Sequence, residues 1–216
     1  MEEKNYGLTN DGLRNILNYT IRVIVFVCGI FILALGAATL ITANVGVATW
    51  DVLHIGLARI SSLSVGRWVQ IVGITMVLMT CVFERKRPVL GSVLNIVLVG
   101  FFLNFILSVN IIPHFDNIGA RILLLIIGII LMGIGSGMYV ASKVGAGPRD
   151  GMTLFLARRF SISVRLARTI LEISALTIGW LIGGPVSIGT FISVPLIGPV
   201  MQASLKVWTI ILKKLY

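Results

Sequence analysis

Residues 144–151 read VGAGPRDG, and residues 45–52 read VGVATWDV. A shift of 99 lays Gly46 on Gly145 and Asp51 on Asp150, and carries Leu57-Ala58-Arg59 onto Leu156-Ala157-Arg158. The same shift matches Gly29-Ile30 with Gly128-Ile129, Gly36 with Gly135, Ser62 with Ser161 and Ser64-Val65 with Ser163-Val164. In all, 12 of the 37 positions from 29 to 65 are identical. Further on, a shift of 98 aligns Leu90-Gly91-Ser92 with Ile188-Gly189-Thr190. The chain reads as one unit written twice.

Composition fixes the solvent of that unit. With 57% hydrophobic and 12% charged residues and a mean hydropathy of +1.02, the chain is too apolar for a soluble domain, and its apolar runs reach spanning length. It reads as an integral membrane protein. Cys28 and Cys81 lie inside apolar runs and are too few for a disulfide framework. Residues 1–20 read as a cytoplasmic segment with no signal peptide, since Glu2 and Glu3 precede Lys4 and polar residues follow. Leu13, Ile16 and Leu17 at helical spacing suit a short helix on the membrane surface, or else a frayed tail.

Three apolar runs fill the first copy, at about 23–43, 68–83 and 89–109, and three fill the second, at about 122–142, 167–182 and 188–208. The chain therefore divides into a repeat over 21–116 and a repeat over 117–216, within one membrane domain. In each repeat a further segment, 49–60 or 149–160, begins at the motif. Its apolar centre is only about 10 Å long as helix, so it lies at the interface or enters and returns.

Lysine and arginine accumulate in cytoplasmic loops. With both termini inside, six spans put 15 of the 18 basic residues inside and leave Arg59, Arg67 and Arg121 outside. The net charge of +10 then reports topology and attraction to anionic lipid on the cytoplasmic side, with no call for nucleic acid. An odd number of spans per repeat makes the second enter from the side opposite to the first. The expected fold is thus an all-α membrane protein of six transmembrane helices in two inverted three-helix repeats, each with a short re-entrant or interfacial helix. Inverted repeats recur in secondary transporters, where two halves form one pathway.

The motifs suit a discontinuity. Glycines allow a sharp bend, and a helix that starts after it aims its positive end at the bend. Pro148 suits a first helical position and Asp150 its first turn. The bland alternative is a capped helix start, and the full length of the preceding runs leaves the motifs near opposite surfaces. As candidate pathway residues the sequence offers Gly46, Asp51, Gly145, Gly147, Arg149 and Asp150, with Asn95 in the third run. Glu172, the one carboxylate well inside an apolar run, joins them as a proton or cation ligand; its alternative is an i,i+4 pair with Arg168. Asn104 suits interhelical hydrogen bonding, and Gly133/Gly137 and Gly179/Gly183 allow close helix contact within the chain or in a homodimer. His54 and His114 are the sole imidazoles, and neither a metal-ligand cluster, a P-loop nor a serine elbow is present. No enzyme, cofactor or metal centre is expected.

Gly46…Asp51, Gly91-Ser92, Gly145-Ala146-Gly147-Pro148-Arg149-Asp150-Gly151 and Gly183-Gly184-Pro185…Gly189-Thr190 together resemble the YczE/YyaS/YitT group of small bacterial membrane proteins. The likeness covers about residues 22 to 208, and GxGPRDG is its most specific piece; Thr49-Trp50 stands in the first copy where the second has Pro148-Arg149. The resemblance implies a multi-pass protein of the bacterial inner membrane with no settled substrate. The expected activity is a small permease or facilitator for an unidentified solute or ion. Its rival is a membrane scaffold or regulator acting through protein partners at the basic loop 143–168.

Overall fold

A computed structural model describes residues 10–85, 87–145 and 147–214. Among the described residues eight helices follow one another: α1 (Asn10–Ala43), α2 (Thr49–Arg59), α3 (Val65–Glu84), α4 (Leu90–Val109), α5 (Ile118–Ser142), α6 (Pro148–Arg159), α7 (Val164–Leu181) and α8 (Ile188–Lys214). Five of them hold stretches long and apolar enough to cross a membrane: Ile16–Ala43, Val65–Glu84, Leu90–Val109, Ile118–Ser142 and Ile188–Lys214. The sixth expected span corresponds to α7, which is 18 residues long and carries Arg165, Arg168 and Glu172. Those charges keep it out of the apolar set.

The short surface helix expected around Leu13, Ile16 and Leu17 is absent as a separate element; these residues continue into α1, which is 34 residues long. No proline or glycine between Asn10 and the apolar run forces a break except Gly12 in the first turn, so helical hydrogen bonding propagates. α8 likewise runs through Pro195 and Pro199. The helix ends obey local chemistry. Asn44, Arg85, Asn110 and Lys143 take positive φ at or just after the last turns of α1, α3, α4 and α5, a conformation that closes a helix.

The centre of the fold is the α1·α5 pair. A Cβ added to Gly36 would sit 2.8 Å from the Gly128 carbonyl oxygen, and one on Gly135 would sit 2.6 Å from the Gly29 carbonyl oxygen. Low numbers on one helix thus meet high numbers on the other, and the two run antiparallel. At each end an arginine closes the pair. Arg22 donates to the Ser142 carbonyl at 3.1 Å, and Arg121 Nε donates to the Ala43 carbonyl at 2.8 Å. These carbonyls are among the last-turn acceptors that a helix leaves unpaired.

Around this pair α4 packs on α1 and α8 on α5, while α2 packs on α7 and α3, and α6 on α3 and α7. Gly133 and Gly137 face Val200 and Ser204 of α8, so that small-residue stripe serves packing within the chain. Asn104 joins helices as expected: its Oδ1 accepts from the Gly66 amide at 2.9 Å. One apolar cluster (Ala34, Leu40, Val52, Leu103, Ile129 and neighbours) fills the space between α1, α2, α4 and α5. A second, around Trp50, Leu53, Met76, Met152 and Ala175, fills that between α2, α3, α6 and α7.

Candidate functional site

After α1 ends, residues 45–48 leave helical geometry and run beside the start of α8. Gly46 has φ 146°, and a Cβ there would collide with the backbone of Gly189 and Thr190, so the approach requires glycine. The Gly189 amide donates to the Val45 carbonyl at 3.0 Å, the Val47 amide to Thr190 Oγ1 at 3.3 Å, and Ser193 Oγ to the Val47 carbonyl at 3.4 Å. An extended segment of the core thereby finds partners for its backbone. The second motif is held likewise. A Cβ on Gly145 would run into the backbone of Gly91 at the start of α4, and one on Gly147 would lie 3.1 Å from the Tyr139 hydroxyl and 3.5 Å from an Asp150 carboxylate oxygen.

The two helices that these segments launch meet at their first turns. The Arg149 guanidinium of α6 lies 4.8 Å from the centroid of the Trp50 ring of α2, within cation–π range. Ala43 and Ser142, which end the helices before the motifs, lie at opposite ends of the antiparallel α1·α5 pair. Residues 45–48 of the first segment leave helical geometry between α1 and α2, and four such residues reach roughly 13 Å. Thr49 Oγ1, in the first turn of α2, donates to Glu172 of α7. Glu172 therefore bonds a residue 123 positions away, and its expected i,i+4 partner Arg168 stands instead 4.0 Å from Asp150.

Asp51 and His54, one helical turn apart, are 4% and 2% exposed. The Asp51 Oδ1 to His54 Nδ1 separation is 3.7 Å, beyond a hydrogen bond. Asp51 Oδ2, His54 Nδ1, Trp50 Nε1 and Asn95 Nδ2 are buried with no hydrogen-bond partner among the described residues. Buried polar atoms are ordinarily paired, so three such atoms in the first two turns of α2 single this stretch out as the candidate site.

Of the sequence-derived candidates, the structure brings Arg149 of α6 against α2, joins Glu172 to its first turn and sets Asp150 beside Arg168. Gly46 packs against the start of α8 and Gly145 against the start of α4. Asn95 is buried in α4, with its relation to the other candidates resting on no described contact. Thr49, Trp50 and His54 are additions. The i,i+3 spacing of His54 from Asp51 was the available signal; the partners of Thr49 and Trp50 lie in the other half of the chain. A surface cleft of about 280 Å³, lined by residues including Ile41, Asn44, Asn110 and His114, lies at the C-terminal end of α1 and contains none of the motif residues.

This is the architecture of an all-helical, multi-pass membrane protein with polar groups gathered at two helix starts. The chain belongs to the family of unknown function DUF6198, whose model matches residues 20–206. It is 33% identical over 83% of both chains to the uncharacterized membrane protein YczE of Bacillus subtilis. To an uncharacterized protein of Haemophilus influenzae it is 31% identical over 87% of this chain and 84% of the other. To the uncharacterized protein YyaS of Bacillus subtilis it is 27% identical over 81% and 87%. No solved structure matches the chain.

Proposed function

We propose that the protein is a small permease or facilitator built from two inverted repeats, with α2 and α6 entering the membrane from opposite faces as re-entrant half-helices. The observation that carries this reading is the contact between Trp50 and Arg149. The 99-residue shift equates these two positions, and equivalent positions touch only near an axis that exchanges the two copies.

Other pairs obey the same exchange. Gly29 against Gly135 and Gly36 against Gly128 swap into one another, as do Arg22 on Ser142 and Arg121 on Ala43. Leu53 corresponds to Met152 and Met76 to Ala175, so the apolar cluster between the half-helices is built from equivalent residues. An antiparallel α1·α5 pair is what an inverted duplication requires, and such frames recur in transporters with polar sites on broken helices near the midplane. Depth supports the same reading. Thr49 meets Glu172 while Arg59 at the far end of α2 bonds Gly183 just beyond α7. Glu172 precedes the end of α7 at Leu181 by nine residues, or about 14 Å of helix, roughly half the hydrocarbon thickness.

α7 is then the sixth span, and it departs from its counterpart α3. Gly66 and Gly73, which let α3 lie against α4, correspond to Arg165 and Glu172. Among the described residues α7 and α8 form no packed pair comparable to α3·α4, and Gly198, the counterpart of Gly100, faces open space. The charges of α7 turn the other way: Glu172 meets Thr49 of α2 and Arg168 meets Asp150 of α6.

Single cysteines at Ala48 and Gly147, in protein lacking Cys28 and Cys81, test the proposal with membrane-impermeant thiol reagents applied from each side. A permease presents each position to both sides as the pathway alternates. Labelling of each from one side only contradicts transport and favours a scaffold docking through the basic loop 143–168.

A further inference from the structure

We propose that Asp51 and His54 form a buried site for one exchangeable proton, making the permease proton-coupled; this deepens the permease reading and rests on it. The geometry is specific to such a site. A carboxylate oxygen and an imidazole nitrogen face each other at 3.7 Å, too far for a direct hydrogen bond and close enough to share a proton after a small approach or through one water. Asp51 Oδ2 and His54 Nδ1 have no other partner among the described residues. Both side chains are more than nine-tenths buried.

The charges around the pair point the same way. Of the helices packed on α2, α7 presents Glu172, which accepts from Thr49, and Arg168, which lies beside Asp150. α3 carries its charges at its ends, as Arg67 and Glu84, the latter 2.6 Å from Arg158. From α6 comes Arg149, on the Trp50 ring; Tyr139 of α5 stands by Gly147. Arg59 closes the outer end of α2 on Gly183. With Arg168 set against Asp150, the inner group consists of Asp51, Glu172 and Arg149, with one negative charge in excess. An excess negative charge draws a cation toward the pair.

A metal cation fits poorly. Sodium and other hard cations seek several oxygen ligands, whereas this pair offers one carboxylate and one imidazole nitrogen. Among the described residues no three His, Cys, Asp or Glu groups converge to hold a metal. The step is a simple transfer: a hydronium ion on one face breaks an O–H bond and leaves as water, its proton forms an O–H bond on Asp51 and is shared with His54, and that bond breaks when a water on the other face accepts the proton.

The test uses full-length protein carrying Trp68→Phe, Trp180→Phe and Trp208→Phe, so that Trp50, the neighbour of Asp51, is the sole tryptophan. Its emission is titrated with pH in proteoliposomes, then measured at fixed pH with sodium exchanged for choline. The expected result is a single titration that disappears in Asp51→Asn, moves its midpoint by at least half a pH unit in His54→Gln, and ignores sodium. Asp51→Glu, which keeps a titratable group, retains the titration with a moved midpoint and guards against loss of fold in Asp51→Asn. A titration of full amplitude in Asp51→Asn overturns the proposal, as does sodium reproducing the effect of protonation. A second arm follows a pH-sensitive dye trapped in the same vesicles under an imposed pH gradient. Dye response lost in Asp51→Asn supports the proposal. A response that survives Asp51→Asn overturns the proton site while leaving the permease standing. Titration without any flux refutes proton coupling, and sidedness of labelling at Ala48 and Gly147 then decides the permease separately.

Discussion

Replacing Gly36 by alanine tests the α1·α5 contact where the two backbones pass closely. The added Cβ lies 2.8 Å from the Gly128 carbonyl oxygen and 2.5 Å from the Met132 amide nitrogen, where non-bonded carbon prefers roughly 3.5 Å or more. Both obstacles are backbone, so no rotamer relieves them, and the helices must part by about 1 Å. Overpacking of this kind costs about 1–3 kcal/mol. At about 2–4 °C per kcal/mol for a chain of this size, the melting temperature of detergent-purified protein falls by roughly 2–12 °C. Gly198→Ala in α8 is the matched control. Nothing lies within 4 Å of its added Cβ, and alanine favours helix over glycine by about 1 kcal/mol, so melting stays level or rises. If Gly36→Ala melts with the wild type, or Gly198→Ala falls as far as Gly36→Ala, the packing argument is wrong.

Other substitutions divide sharply by environment. Gly46→Ala meets both a positive φ and the α8 backbone, and loses at least about 2 kcal/mol, read as a collapse in monodisperse yield on size exclusion. Arg121→Gln gives up a charge-assisted bond to the end of α1, with a loss of about 1.5–3 kcal/mol on thermal melting, and Arg22→Gln at the other end behaves alike. Arg158→Ala breaks the ion pair with Glu84, but that arginine side chain is 61% exposed, and the melting curve moves by less than about 1 kcal/mol equivalent. Thr49→Val removes the hydroxyl that holds Glu172; it lowers solute flux in proteoliposomes while protein yield is retained.

Most of the helical segments were legible because they are local or periodic. Gly29, Gly36, Gly128 and Gly135 announce themselves by matching under one shift, and the apolar runs by length. What was hidden depends on partners far along the chain. Arg22 and Arg121 count as loop charges in a topology argument, yet each donates to the end of a helix in the other half of the chain. Glu172 shows Arg168 as its neighbour at helical spacing, while its partner Thr49 belongs to the other half. The meeting of Trp50 with Arg149 is invisible to span length, since the two residues lie 99 positions apart. The continuous α1 was missed for a different reason: polar residues before an apolar run do not themselves stop a helix.

The most direct test of the inverted arrangement is the side on which each motif helix ends. Single cysteines at Ser62, after α2, and Ser161, after α6, are introduced into protein lacking Cys28 and Cys81, and an impermeant maleimide is applied to intact cells and to inside-out vesicles. The inverted frame predicts that Ser62 reacts only from outside and Ser161 only from the cytoplasmic face. Reaction of both from one side contradicts the inversion, and with it the permease built on two opposed half-helices.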